Sequence, residues 1–207
     1  MVRTLFELDD DVALAPGAWW LRGFARAMAG TLLAEIDQLA AAAPFRHMTT
    51  PGGKLMSAAM TSAGALGWVS DRAGYRYSPV DPRSGAPWPP MPDPFALLAG
   101  RAAERAGYAA FVPDSCLVNL YEQGARMGVH QDRDERDLSH PIVSVSLGAS
   151  ARFTFGPARG ATGGLAVELS HGDVVVWGGA SRLYFHAVTR VRDDAPRRLN
   201  LTLRRAG

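Results

Sequence analysis

From Phe24 to Ala43 the apolar side chains Phe24, Met28, Leu32, Leu33, Ile36, Leu39 and Ala40 recur at steps of three and four, and Pro44 follows as a stop. That spacing predicts an amphipathic helix. A second helix is signalled by Asp93 as N-cap, Pro94 at the first helical position, the run "FALLAGRAAERA", and Gly107 just past its end. Neither helix carries a cluster of catalytic side chains on one face, so both read as supports. Between them, Thr49 to Pro92 is rich in Gly, Pro and Ser yet holds Trp68, Tyr75, Tyr77, Trp88 and several Met and Leu side chains. So many large side chains in a long irregular segment predict an ordered lid or binding loop rather than a linker.

After Phe111 the pattern changes to short β-type runs broken by Gly, Pro and Asp: "SCLVNLY", "PIVSVSLG", "ARFTFG", "LAVELS", "GDVVVWGG", "LYFHAVTRV" and "RLNLTLR". Seven or eight strands at this spacing predict a sandwich or barrel. The absence of a long internal repeat argues against a solenoid or propeller. The fold class is mainly β with flanking helices (α+β), and 207 residues suit one domain. Residues 1–110 would form the N-terminal helices and lid, and residues 111–207 the β core.

The last run separates two environments: Arg198, Asn200, Thr202 and Arg204 alternate with Leu199, Leu201 and Leu203, which puts four polar side chains on one strand face. Taken alone, this fits a strand with leucines inward and polar groups in water. Other runs change the picture, because Asn119 shares a face with Tyr121, His130 with Asp132, and "YFHAV" sets His186 in a strand apolar on both sides. Together they suggest a common polar interior. Buried arginines at 198 and 204 would then require anions from protein carboxylates or a ligand.

His130 and Asp132 project to the same side of an extended segment and can reach one ion. Of the other histidines, His140 precedes a proline, His171 lies in the turn "SHGD", His47 lies outside these strands, and His186 alone sits deep in a β run. Two His and one carboxylate form the facial triad that leaves open positions on Fe(II), whereas closed zinc sites use four protein ligands. An HxD pair by itself also fits a salt-bridged surface for "HQDRDERD"; the combined order of residues is far more specific.

Composition narrows the classes further. The chain is 47% apolar and 20% charged, which suits a packed core rather than disorder. A net charge of +2 permits phosphate contact without the basicity of a protein held mainly by polyanion electrostatics. Lys54 is the only lysine against 21 arginines, which reads as coding bias. Cys116 is the only cysteine, so an intrachain disulfide or thiolate zinc site is excluded. No apolar run is long enough to span a bilayer and "MVRTLFELDDD" is unlike a signal peptide. A soluble cytoplasmic monomer without membrane contact is expected.

His130, Asp132 and His186, followed by "RLNLTLR", resemble the Fe(II) and 2-oxoglutarate-dependent dioxygenases, in particular the AlkB family of alkylated nucleic acid demethylases. "NLYEQGARMGVHQDRDE", "HGDVVVWGG" and "RLYFHAV" are similar to the bacterial AlkB pattern, as are "TPGGKLMSAAMT", "LGWVSDRAGYRYSP" and "PWPPMP" in the N-terminal half. The likeness runs from about Pro44 to the end of the chain. It implies a double-stranded β-helix, or jelly roll, with an N-terminal nucleotide-recognition lid. It implies Fe(II) on His130, Asp132 and His186, with 2-oxoglutarate and O2 as co-substrates. Asn119 and Arg204 would address the inner carboxylate of 2-oxoglutarate, and Tyr121, Arg198 and Asn200 the distal one.

The implied reaction is oxidative demethylation of bases of the 1-methyladenine and 3-methylcytosine type, releasing formaldehyde, succinate and CO2. The substrate would be single-stranded DNA and also RNA. A base made cationic by such a methyl group costs less to extrude than a normal one. The resemblance assigns Trp68 and Asp134 to the flipped base and Tyr75, Arg76 and Tyr77 to the nucleotide and backbone. In "FGPARGATGGLAVELS" the chain is shorter than the bacterial pattern, leaving Arg159 as the candidate basic contact there. The alternatives are a hydroxylase of a protein or small molecule with the same chemistry, and a non-catalytic jelly-roll module. The intact set of His130, Asp132, His186, Arg198 and Arg204 argues against the latter.

Overall fold

The computed structural model describes residues 11–159, 164–189, 191 and 197–207. Residues 1–10 and 160–163 lie outside the described residues, so the acidic start and most of the shortened glycine-rich loop receive no structural account. The chain opens with a hairpin of β1 (Val12–Ala15) and β2 (Ala18–Leu21), then α1 (Ala29–Ala42), β3 (Arg46–Thr49) and β4 (Leu55–Gly64). A second hairpin, β5 (Gly67–Asp71) and β6 (Gly74–Ser78), precedes α2 (Asp93–Arg105). Eight strands follow: β7 (Ser115–Tyr121), β8 (Met127–His130), β9 (Ile142–Gly148), β10 (Ala151–Gly156), β11 (Leu165–Leu169), β12 (Val174–Trp177), β13 (Phe185–Val188) and β14 (Arg198–Arg204).

The large sheet has the order β1-β2-β12-β9-β14-β7-β4-β3, and the small sheet β11-β10-β13-β8. Along the chain β7, β9, β12 and β14 enter the large sheet, while β8, β10, β11 and β13 enter the small one. Strands that cross between two sheets in this way form the jelly roll expected from the sequence.

Strand alternation decides what each face of the large sheet meets. Leu199, Leu201 and Leu203 of β14 pack in one core with Val143, Val145 and Leu147 of β9, against Leu32, Ile36 and Leu39 of α1 and Phe95, Leu98 and Ala102 of α2. Truncating a fully buried leucine such as Leu201 to alanine should cost about 2–5 kcal/mol. The opposite register of β14 carries Arg198, Asn200, Thr202 and Arg204, all buried. A solvated polar face for this strand is therefore excluded. These side chains line the space between the sheets, with Asn119 and Tyr121 of β7 and Ser144 of β9.

Three local expectations are corrected. The segment from Thr49 to Pro92 is not irregular: β4 runs ten residues and pairs along β7, and β5 and β6 form a hairpin. Its "AAMTSAG" stretch is buried, with β7 and β3 as its neighbours in the sheet, but its side chains are mostly small, and Thr61 is its one β-branched residue, so it lacks the usual signal of a strand. Asp93 is the first residue of α2 rather than its N-cap; Pro92 caps it with extended backbone and Asp93 adds negative charge to the first turn. The first helix begins late, since Arg26–Met28 form a 3-10 turn before α1.

The β1–β2 hairpin turns through Pro16 and Gly17, where Gly17 adopts φ +78° with Gly178 O and the Tyr108 hydroxyl crowding the place a Cβ would take. A side chain there would meet both strain and collision. Beyond the second hairpin, Asp81 takes two 2.6 Å hydrogen bonds from Arg46 of β3. Burial would raise the Asp81 carboxyl, but the Arg46 bonds hold it below the usual range. This pair ties the end of the hairpin segment to the sheet edge.

Candidate metal and co-substrate site

The β8–β13 ladder places His130 directly opposite His186, with ring centroids 4.2 Å apart. Asp132 lies two residues beyond the end of β8 and brings its carboxylate to both rings, 3.6 Å from His130 Nε2 and 3.8 Å from His186 Nε2. The candidate ligand atoms of the three residues all lie within 4.8 Å of one another. The far side of each ring meets a main-chain oxygen: His130 Nδ1 lies 2.8 Å from Gly128 O and His186 Nδ1 3.2 Å from Tyr184 O. A carbonyl can only accept, so Nδ1 carries the proton and the Nε2 lone pair faces inward. Two imidazole lone pairs and a carboxylate aimed at one point form a donor set that suits a divalent cation.

The electrostatics agree. Burial pushes His186 down to about 4, with His130 adding to the effect and Asp132 opposing it, so the ring is neutral at pH 7. Burial alone would raise the Asp132 carboxyl, but Arg204, His186 and His130 more than offset it and hold the group well below the usual carboxylate range. Asp132 is an anion throughout the physiological range.

Arg204 donates from Nη2 to Asp132 Oδ2 at 2.5 Å, and its Nε lies 3.1 Å from Glu135 Oε1. Burial would lower its pKa; the neighbouring Asp132, Tyr77 and Glu135 raise it overall. Arg198 is different. Only 1% exposed, it donates from Nη2 to Ser146 Oγ at 2.9 Å and stands 5.1 Å over the Tyr121 ring. As in Arg204, its Nε and Nη1 form no hydrogen bond among the described residues, but unlike Arg204 it has no carboxylate paired with it there. Burial lowers its pKa, although Tyr121 opposes that shift. Asn119 Oδ1 is also buried with no hydrogen-bond partner among the described residues. Asn200 has little to spare: its amide donates to Ser144 Oγ and Val145 O, and its Oδ1 accepts from Thr202.

One cavity of about 580 Å³ collects these groups, a volume suited to a small co-substrate plus one base. Its mouth is made by the β5–β6 hairpin. Trp68 and Tyr75 stack with centroids 5.6 Å apart, Trp68 Nε1 donates to Asp134 Oδ2 at 2.9 Å, and the Tyr77 hydroxyl donates to Glu135 Oε1 at 2.8 Å. Tyr75 is 47% exposed, and Arg133 and Arg159 also line the cavity. Arg76 does not: it alternates to the other face of β6 and makes a two-bond ion pair with Asp71. Asp137, read as a surface residue, lies 3.4 Å from His140.

Four residues of the site carry no signal in the sequence. Glu135 is buried and meets Arg204, Tyr77 and Arg182, but it stands at an odd offset from Asp132 along an extended chain, so face counting passed over it. Arg182 is buried in "SRLYFHAV", where nothing in the pattern distinguishes it from the surface arginines. The hydroxyls of Ser144 and Ser146 were hidden in a run that reads as apolar.

The sequence profile of the 2OG-Fe(II) oxygenase superfamily matches residues 17–204. The chain is 50% identical over 199 residues to the alpha-ketoglutarate-dependent dioxygenase AlkB of Escherichia coli (strain K12), covering 94% of this chain and 92% of that one. It is 35% identical over 127 residues to the nucleic acid dioxygenase ALKBH1 of Mus musculus, covering 61% of this chain and 32% of that protein. The solved structure of OsALKBH1 superposes with a TM-score of 0.82 at 29% identity, over 95% of this chain and 100% of the other.

Proposed function

The chain belongs to the AlkB family within the 2OG-Fe(II) oxygenase superfamily, and on that premise we propose that it demethylates N-alkylated bases of the 1-methyladenine and 3-methylcytosine type in nucleic acid. Single-stranded DNA is the proposed first substrate, with RNA a second. As a member of this superfamily it is a dioxygenase that uses Fe(II), 2-oxoglutarate and O2. His130, Asp132 and His186 would hold the iron, and their inward-facing donor set fits it. When bound, iron with 2-oxoglutarate and O2 would supply oxidation of the N-methyl C–H bond: 2-oxoglutarate would leave as succinate and CO2, and the oxidised base would be restored with loss of formaldehyde alone.

The single observation that carries the co-substrate reading is Arg198, a buried cation with two unpartnered donors at the end of a polar cavity. Its planar fork suits a ligand carboxylate. We assign it, with Tyr121 and Asn200, to the distal carboxylate of 2-oxoglutarate; Asn200 would have to exchange a protein bond to take part. Arg204 and Asn119 are assigned to the inner carboxylate, where Arg204 also restrains Asp132. Trp68 offers the ring face that a flipped base stacks on, and its hydrogen bond to Asp134 fixes the indole plane. Asp134 places a carboxylate where it would compensate the charge of a methylated base. Tyr75 at the mouth and Arg159 on the rim are proposed to meet the flanking nucleotide and its phosphate.

Among the described residues no helix is long and apolar enough to cross a membrane. The single cysteine suits a reducing compartment, and we propose that the protein acts in the cytoplasm as a monomer. The test is mass spectrometry of 1-methyladenine oligonucleotides, as DNA and as RNA, incubated with protein, Fe(II), ascorbate and 2-oxoglutarate. Loss of one CH2 from the methylated oligonucleotide is expected, and His130→Ala or Asp132→Ala should abolish it. Succinate release that ignores methylation, with the oligonucleotide unchanged, would overturn the substrate assignment.

A further inference from the structure

Two of the three candidate metal ligands stand opposite each other in a β ladder, but Asp132 lies in a stretch without regular structure from Gln131 to His140. Among the side chains that hold that stretch, one has no role in the proposed chemistry. Arg182 follows the 3-10 turn Gly179–Ser181, four residues before His186, and its side chain is 5% exposed. All three guanidinium nitrogens point at the loop. Nη1 donates to the main-chain oxygen of Asp132 at 2.7 Å, Nε to that of His140 at 3.0 Å, and Nη2 lies 3.0 Å from Glu135 Oε2. Beside it, Gln131 Nε2 donates to Leu183 O.

A buried guanidinium costs free energy unless its donors are met, and here every met donor lands on the segment that carries Asp132. The planar fork matters because it reaches two carbonyls and a carboxylate at once, which a single ammonium cannot do. The need is also visible: Arg204 pulls on the Asp132 carboxylate from the cavity side, so the carboxylate keeps its place beside His130 and His186 only if its backbone is held from behind. We propose that Arg182 is a positioning residue for the metal site, locking the main chain of Asp132 to the segment that leads into β13. This rests on the reading that His130, Asp132 and His186 bind the metal.

The experiment measures metal affinity rather than turnover. Mn(II) is titrated calorimetrically into the protein with 2-oxoglutarate present, for wild type, Arg182→Met, Arg182→Lys and Arg46→Met. The last variant breaks a remote partly buried ion pair and serves as a control for general destabilisation. Loss of a partner that orients a ligand is expected to weaken Mn(II) binding about 10- to 100-fold in Arg182→Met. Arg182→Lys should recover only part of it, and Arg46→Met should bind as wild type does. Should Arg182→Met fail to fold, Arg182→Lys carries the test, since it keeps the charge but not the fork. Wild-type affinity in the Arg182 variants overturns the inference while leaving the triad intact, as does an equal weakening in Arg46→Met. Failure of wild type to bind Mn(II) at all overturns the triad reading and this inference with it.

Discussion

Arg198→Met should move ligand binding and ligand-free stability in opposite directions. The guanidinium is 1% exposed and, among the described residues, meets Ser146 Oγ and the face of Tyr121, with Nε and Nη1 forming no hydrogen bond. A carboxylate accepting from both idle donors would make two charge-assisted bonds, each worth about 1.5–3 kcal/mol, and losing them should cost about 3–5 kcal/mol of binding. At 1.36 kcal/mol per decade the Kd for 2-oxoglutarate weakens by roughly two to four decades. Methionine fills similar space without a charge, and replacing a poorly compensated buried ion in this way often stabilises by about 1–4 kcal/mol. For a chain of this size each kcal/mol moves Tm by about 2–4 °C, so the ligand-free variant should melt several degrees above wild type. Thermal melts with and without 2-oxoglutarate and Mn(II) read both effects. At about one hundred times its Kd the co-substrate stabilises wild type by about 2.7 kcal/mol, or roughly 5–11 °C, and should leave the variant unmoved. A variant that melts lower than wild type and still responds to 2-oxoglutarate refutes the reasoning.

Two further outcomes follow from the same site. Tyr77→Phe removes the hydroxyl bond that docks β6 on Glu135, worth about 1.5 kcal/mol with a charged acceptor, so amide hydrogen exchange across residues 67–78 should quicken about tenfold while the sheet core is unchanged; equal exchange in variant and wild type would show that the bond does not hold the hairpin. The metal-free protein should lose stability in mild acid because of His186, whose folded value near 4 lies below the ordinary 6.5. The unfolded chain binds a proton between those limits and the folded chain does not, so the contribution is complete above pH 6.5 and is lost as pH falls toward 4, by about 3 kcal/mol in all. Urea melts over that range should show a shallower decline for His186→Gln, and parallel curves for the two proteins would exclude His186 as the cause.

How much of this was legible depends on whether a residue's role is set by its place on a strand or by what crosses from another strand. Alternation in "RLNLTLR" placed Arg198 and Arg204 on one face, and the face is buried as that reading requires. It could not distinguish the two arginines, since each calls equally for an anion from a protein carboxylate or a ligand. Arg204 finds Asp132 and Glu135, while Arg198 finds no paired carboxylate among the described residues, because β14 runs past the loop after β8 at one end only. Strand β4 escaped notice for the opposite reason: its buried side chains are mostly small, and smallness leaves no hydrophobic signal. Arg76 looked equivalent to Tyr75 and Tyr77 in sequence, yet alternation turns it away to Asp71.

The same distinction explains how three distant side chains come to share one point. His130 and His186 are register partners, so the hydrogen-bonded ladder that builds the small sheet also fixes their separation, and the rings of Phe153 and Trp177 packed against His186 support that geometry. Asp132 has no such partner. Its carboxylate is set instead by Arg204 from the cavity and its backbone by Arg182 from behind, two buried guanidinium groups bracketing one residue. A ladder is a cooperative element that a single substitution rarely undoes, whereas a side-chain clamp can be lost in one step. The metal site should therefore fail first at Asp132, and substitutions in the clamp should weaken metal binding well before they melt the jelly roll.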